Sequence, residues 1–469
     1  MAEVKFEVHE TGVIRSVREC VLRVDGLPSA INGQLVEFKQ AGKGLITGFS
    51  EKDVSLLILT SKAPLRTGDE VFSKGEFLRL PVGEAFLGRV VSALGEPVDN
   101  RGPILSSDFY PVFRDAAEVM DRVPLKETLE TGTLLINAVI PIAKGQRQLL
   151  IGDRLTGKTT VAMDAILNQK GKDVICIYCS IGKTHSSLNK IIGLLCRRQA
   201  MDYTIVVNAV ASASMGEQYL APYTAAMLGE YFMYKGKDVL VVFDDLTRHA
   251  WVYRQISLLL ERTPGREAYP GDIFYIHSQL MERAAHLKPE LGSGSMTFLP
   301  IAEILQGDVT GYVSSNLISM TDGQIYFNTT LFNKGIKPAI DFGLSVSRIG
   351  NKAQWPAMKA LSEKLKLEYI QYQELLQMTQ LRTTGLSKEA EQRMKRGQVV
   401  TQLLIQDKNK PLPMEAEAAI LFALSCGVLD NLSSEDIKKF KDEFIVRIME
   451  WYPDLLKEIR EAHVLSDSS

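Results

Sequence analysis

Gly152-Asp153-Arg154-Leu155-Thr156-Gly157-Lys158-Thr159 is the stretch on which the reading of this chain turns. It fits the pattern G-x-x-x-x-G-K-[ST]. Ahead of it Gln148, Leu149, Leu150 and Ile151 read as a short apolar strand. Behind it residues 160–168 read as an amphipathic helix, with Val161, Ala162, Ala165 and Ile166 on one face. Strand, loop and helix together are the context the motif requires. Backbone N–H groups of a glycine-pinned turn point inward and the helix N-terminus adds partial positive charge, so a triphosphate is favoured there. Lys158 is expected to reach the β- and γ-phosphates, and the Thr159 hydroxyl to bind Mg²⁺. The expected occupant is ATP or ADP with Mg²⁺.

A chain of 469 residues is too long for one core and suggests roughly three domains. Hydrophobic residues make up 45% and charged residues 23%, with a net charge of -2. That balance gives no basic surface for nucleic acid and no polybasic membrane anchor. No apolar run reaches the roughly 18 residues that a membrane span needs. Met1 to Glu10 is charged and lacks the character of a signal or transit peptide, so a cytosolic location is expected. The five cysteines do not make a disulfide framework. Cys176 and Cys179 form a CxxC within the apolar run 174–178, which reads as a buried strand.

From Thr11 to about Leu80 the signal is short strands broken by turn residues. Cys20, Leu22 and Val24 alternate with Val21, Arg23 and Asp25, and further strands are expected at 34–39, 54–60 and 71–80. Turn signals fall at Gly26, Gly42, Gly44 and 67–69, so residues 1–80 read as a small β-barrel. From 81 to 355 apolar strands alternate with helical stretches, the α/β pattern. Strands are expected at 173–178, 204–208, 238–243 and 272–276. The run Val239 to Phe243 is apolar throughout, as in a parallel strand buried on both faces, and it ends in Asp244-Asp245. A carboxylate at that end falls in the crevice where open α/β sheets bind ligands, so Asp244 is the expected water-mediated Mg²⁺ ligand. From 356 to 469 the pattern is helical. Leu361, Leu365, Tyr369, Tyr372 and Leu376 keep one face, 414–429 is apolar, and Ser433 with Asp436 opens a helix that runs to Tyr452. The tail 465–469 is polar and reads as loose.

Six stretches together make the sequence recognisable. They are Pro141-Ile142-Ala143-Lys144-Gly145-Gln146-Arg147, the phosphate loop itself, Pro264-Gly265-Arg266-Glu267-Ala268-Tyr269-Pro270-Gly271-Asp272, Gly307-Asp308-Val309, Thr321-Asp322-Gly323-Gln324-Ile325 and Gly343-Leu344-Ser345-Val346-Ser347-Arg348-Ile349-Gly350. Over nearly its whole length the chain resembles the alpha subunits of F-type ATP synthases. The resemblance implies a β-barrel, a RecA-like phosphate-loop domain and a C-terminal helical bundle. It implies a ring of alternating alpha and beta subunits around a gamma stalk, lying on the inner face of the bacterial plasma membrane and coupled to H⁺ or Na⁺ transport. It implies a nucleotide set of Gly152, Asp153, Arg154, Leu155, Thr156, Gly157, Lys158, Thr159 and Thr160, with Phe332, Arg396 and Gln398 on the adenine side. The arginine of the Val-Ser-Arg motif, Arg348, is implied to enter the neighbouring beta subunit's catalytic site, with Ser345 and Thr310 lining that interface. Arginine suits the task because its planar fork pairs with phosphate oxygens and keeps its proton.

The family's alpha site binds Mg-ATP without hydrolysing it, and the residues agree. Hydrolysis needs a carboxylate to orient water against the γ-phosphate. The turn after Tyr178 and Cys179 reads Ile181-Gly182-Lys183-Thr184-His185 and supplies none. Four departures from the family pattern stand out. Leu155 and Lys183 replace usual glutamines, Lys337 replaces a usual arginine, and Glu303-Ile304-Leu305-Gln306 replaces a more polar stretch. The barrel signal also begins almost at once, where family members carry a longer arm that binds a peripheral stalk and its delta subunit. Two other readings stay open: a ring subunit of a paralogous ATPase motor that makes no ATP, and a homohexameric helicase-type ATPase. The missing acid and the absence of a basic, aromatic-rich N-terminal domain count against the last.

Overall fold

The computed structural model describes residues 10–39, 41–50, 52–381 and 387–464; the tail expected to be loose lies outside them. The chain folds as two units. One comprises Met1–Arg122, Ile175–Pro300 and Ser315–Met320, and the other Val123–Val174, Ile301–Ser314 and Thr321–Ser469.

The first unit opens with six strands closed into a barrel: Glu10–Arg18, Val21–Asp25, Gln34–Phe38, Gly42–Phe49, Val54–Thr60 and Glu70–Phe77. Alternation along each strand sends Ile14, Leu22, Val24, Val36, Phe38, Ile46, Leu56 and Val71 into one core. Gly42 and Gly44 are not turn residues, as expected, but lie inside the fourth strand. A Cβ on Gly42 would lie 2.8 Å from the Phe38 ring, and one on Gly44 would lie 2.7 Å from it. The glycines make room for a core phenylalanine on the neighbouring strand.

The same unit holds a parallel sheet of Val90–Ser92, Thr204–Ala209, Val174–Ile181, Asp238–Asp244 and the first part of Ser295–Ile304. The middle strands are buried along almost their full length, Cys176 and Cys179 included. The expected strand at 272–276 is a correction: those residues open the helix Ile273–Met281. Ile273, His277, Leu280 and Met281 are buried while Phe274 and Tyr275 are exposed, which is helical spacing. A short apolar run of five leaves helix and strand open until tertiary contacts choose a face.

In the second unit the strand Leu149–Asp153 pairs in parallel with residues 301–304 on one side and Gly323–Phe327 on the other. Ile340–Ser347 adds an antiparallel edge. The helix Lys158–Leu167 follows the phosphate loop, with Val161, Ala162, Ala165 and Ile166 all buried. From Pro356 onward the regular elements among the described residues are helices: Pro356–Leu381, Lys388–Leu404, Met414–Ser425, Ser434–Trp451 and Pro453–Ala462. Ser433 caps the fourth by accepting from Asp436 N–H at 3.2 Å. Pro453 sits in the first turn of the fifth, where its missing N–H costs nothing. Among the described residues no helix is long and apolar enough to cross a membrane.

Candidate nucleotide-binding site

Glycine at 152 is set by close approach: a Cβ there would lie 2.5 Å from the Phe327 carbonyl oxygen. Leu155 and Gly157 then turn the backbone left-handed, at φ 66° and 102°, and the helix starts at Lys158. Glycine takes that conformation freely; leucine is a costly choice, and Leu155 is 82% exposed. The loop closes on its own donors. Lys158 Nζ donates to the carbonyls of Gly152 at 2.7 Å and Asp153 at 2.6 Å, and the Thr156 hydroxyl donates to Asp153 O at 2.7 Å. The Asp153 carboxylate accepts from Gly307 N–H at 2.9 Å and from the Thr329 hydroxyl at 2.7 Å. A buried ammonium folded over a left-handed turn at a helix N-terminus is a site for phosphate oxygens. Arg154 is exposed, and Thr159 and Thr160 sit half-buried in the first helical turn.

Arg348 follows the edge strand Ile340–Ser347 in a turn fixed from several sides. Its N–H donates to Asp322 O at 2.9 Å. The Asp322 carboxylate is clamped by Arg147 through Nε at 3.0 Å and Nη2 at 2.7 Å. The Ser347 hydroxyl donates to Pro141 O at 2.7 Å and accepts from Gly350 N–H at 3.1 Å. A Cβ on Gly350 would overlap the Pro141 carbonyl, so that glycine is obligatory. Three of the recognisable stretches therefore converge to hold one short turn. The Arg348 side chain is exposed and makes no ion pair among the described residues. Ser345 is buried, its hydroxyl accepting from Tyr326 N–H at 2.9 Å. Thr310 is exposed and turns back on Asp308.

The residues assigned to the adenine side are spread over the second unit. Phe332 is half-buried, with the Lys337 ammonium 4.6 Å from its ring centroid. Arg396 pairs with Glu368 and Asp430 within the helical region, and Gln398 is exposed.

In the first unit Asp244 ends its strand almost fully buried, at 1% exposed. Its Oδ2 accepts from the Tyr178 hydroxyl at 2.7 Å and lies 2.6 Å from Lys183 Nζ. Burial, then the nearby Asp244 charge, hold the Tyr178 phenol well above the usual tyrosine range. Asp245 caps the helix Leu246–Leu259 by accepting from Arg248 N–H at 2.8 Å. Arg248 in turn donates to Gly182 O at 2.5 Å. Tyr178 and Arg248 were not singled out from the sequence. The signal was a polar ring at the C-terminal end of an otherwise apolar strand neighbouring the Asp244 strand.

Among the described residues no cluster of three or more His, Cys, Asp or Glu could hold a metal by itself. A Mg²⁺ ion here would rely on phosphate oxygens and a protein hydroxyl. Thr159, in the first turn of its helix, is such a hydroxyl in kind, whereas Asp244 lies in the other unit and carries Lys183 on one of its oxygens.

Residues 132–347 match the model of the ATP synthase alpha/beta family, nucleotide-binding domain, and residues 354–469 match its C-terminal domain. An ATP synthase subunit alpha of Clostridium botulinum (strain Eklund 17B, type B) is 46% identical over 465 residues, covering 99% of this chain and 92% of that one. A second, from the type A strain Hall, is 47% identical over 462 residues, covering 98% and 92%.

Proposed function

The chain belongs to the ATP synthase alpha/beta family, as an alpha subunit of the F-type enzyme, and we propose that it holds nucleotide without turning it over and lends Arg348 to its neighbour. The nucleotide lies on residues 152–160. Phe332, Arg396 and Gln398 are carried over to the adenine side by their place in the family's pattern. Thr159 supplies the hydroxyl for the accompanying Mg²⁺, and Asp244 is the carboxylate assigned to the metal's water, in competition with Lys183. The partners are beta subunits in an alternating ring around a gamma stalk, peripheral to the inner face of the bacterial plasma membrane, coupled to H⁺ or Na⁺ movement.

The observation that carries this reading is Arg348: backbone locked, guanidinium exposed and without an ion pair among the described residues. A pinned backbone is ordering already done before reaction, which a catalytic group lent across an interface needs. The turn at 182–185 offers a lysine where a catalytic site needs a carboxylate, which supports binding without hydrolysis. Beta subunits supply the base, and this chain supplies charge stabilisation in trans.

The test is ATP turnover by the chain alone and after assembly with beta and gamma subunits. The isolated chain is expected to be inactive. In the assembly, Arg348→Ala is expected to lower turnover by about 10³-fold or more, while nucleotide binding to the isolated chain is unchanged. Turnover that survives the substitution would remove Arg348 from the mechanism.

A further inference from the structure

Arg147, Asp322 and Arg348 meet at one end of one sheet. Gly323 faces Ser347 across the antiparallel strands, so the next pair outward, Asp322 and Arg348, face each other as well. The Arg348 N–H bond to Asp322 O at 2.9 Å fits that register. Residues opposed in this way bring their Cβ atoms within about 5.5 Å, close enough for an aspartate and an arginine to pair. The pair is not made. Arg348 is exposed and has no ion pair among the described residues. The strand Leu149–Asp153 runs from this end of the sheet to the phosphate loop, roughly 16 Å away at about 3.3 Å per residue. That is farther than an arginine side chain extends, so Arg348 is placed for an anion outside its own chain's loop.

Arg147 is what keeps Asp322 from Arg348. It takes Asp322 Oδ1 through Nη2 at 2.7 Å, and Oδ2 through Nε at 3.0 Å and its own N–H at 2.9 Å. Asp322 N–H returns a bond to Arg147 O at 2.9 Å. The two side chains are 25% and 14% exposed, so water screens their attraction only in part. A planar fork on a carboxylate also fixes direction. Behind the turn, the buried amides of Gln148 and Gln146 donate to Val346 O at 3.1 Å and to the Ser347 hydroxyl at 3.2 Å. The turn is held by its backbone, and the charge of the facing carboxylate is already neutralised.

We propose that Arg147 is a positioning residue for Arg348: by occupying Asp322 it withholds the facing carboxylate that would capture the guanidinium, and leaves Arg348 available to a phosphoryl anion on the neighbouring subunit. The proposal rests on the reading of Arg348 as a group lent across the ring. Arg147 itself makes and breaks no bond.

The experiment is steady-state ATP hydrolysis by the chain assembled with beta and gamma subunits, with kcat and KM read separately. Arg147→Gln leaves Asp322 free to take Arg348, and is expected to lower kcat by about 10²-fold while KM changes by less than about threefold. Asp322→Asn breaks the same ion pair but leaves no carboxylate, and is expected to lower kcat by less than about threefold. The double variant Arg147→Gln/Asp322→Asn should recover about tenfold or more of the Arg147→Gln loss. In an Arg348→Ala background, Arg147→Gln should lower kcat no further. A clamp that only props up the fold gives the opposite pattern: equal losses from both single variants, a double no better, and a further loss without Arg348. That pattern, or wild-type kcat in Arg147→Gln, overturns the proposal. Should Arg147→Gln fail to assemble, Asp322→Asn still decides: kcat within about threefold supports the proposal and a larger loss overturns it. If Arg348→Ala keeps full turnover, the lent-arginine reading falls and the proposal with it. If Arg348→Ala abolishes turnover while Arg147→Gln does not lower it, only the proposal falls.

Discussion

Glu417 lies fully buried in the helix Met414–Ser425, with the Asn137 amide donating to its Oε2 at 2.8 Å. Its Oε1 has no hydrogen-bond partner among the described residues. Burial, opposed by the Asn137 bond and the Lys172 charge, pushes its carboxyl up to about 8. Nearby, Lys441 donates to Leu403 O at 3.0 Å and Ile405 O at 2.8 Å, and burial pushes it down to about 8. The two groups act in different windows. A carboxyl raised on folding stabilises fully below its unfolded value, near 4.5, and loses that contribution as pH rises to about 8. A lysine lowered on folding contributes above 10.5 and loses that as pH falls to about 8. Stability should therefore fall from pH 5 to 8 and recover above it. Glu417→Gln should flatten the lower limb, raising stability at pH 8 by a few kcal/mol at about 1.4 kcal/mol per pH unit. Urea denaturation across pH 5–8 checks it, and an unchanged slope in the variant would refute the assignment.

Helix contacts show how tightly elements are fitted. Gly397 in Lys388–Leu404 faces Tyr372 of Pro356–Leu381 so closely that a Cβ would fall 2.1 Å from Tyr372 Cγ. Gly397→Ala would gain roughly 1 kcal/mol of helix propensity. It would cost roughly 1–3 kcal/mol or more in overpacking, because the ring's own Cβ is too near to swing away. A net loss of stability in thermal unfolding is expected; a gain would mean the helices can separate freely. Element existence was legible where the pattern was long: the phosphate-loop helix, the apolar strands and the Ser433-capped helix came from periodicity and caps. The helix at Ile273–Met281 was not, because five apolar residues satisfy either period. Gly42 and Gly44 misled for a related reason. Glycine marks turns by backbone freedom, but here it marks a strand that passes close to a phenylalanine.

At the scale of the molecule, the residues singled out from the sequence divide between the two units. The phosphate loop and the Arg348 turn belong to one unit, and the Asp244–Lys183 pair to the other. Ligand binding then stabilises by mass action: nucleotide at a hundredfold excess over its dissociation constant adds about 2.7 kcal/mol. Thermal unfolding of the whole chain should shift upward with ATP, and Lys158→Ala should remove most of that shift while lowering assembled turnover less than Arg348→Ala does. Equal collapse of both would mean that this loop turns nucleotide over.

The sequence alone determined that the chain binds nucleotide and how it is built. A glycine–lysine loop between an apolar strand and a helix encodes its chemistry locally, within a few residues, and the strand and helix periods encode burial. It also carried the family, through motifs whose residue types are individually constrained. What only the tertiary structure decided was which partners those residues take. Nothing in the local sequence says that Lys183 lies on Asp244, that Tyr178 shares the same oxygen, or that Arg147 and Asp322 pin the turn bearing Arg348. These pairs are separated by tens to hundreds of residues. Their energies depend on distance and on exclusion of water, and the fold sets both.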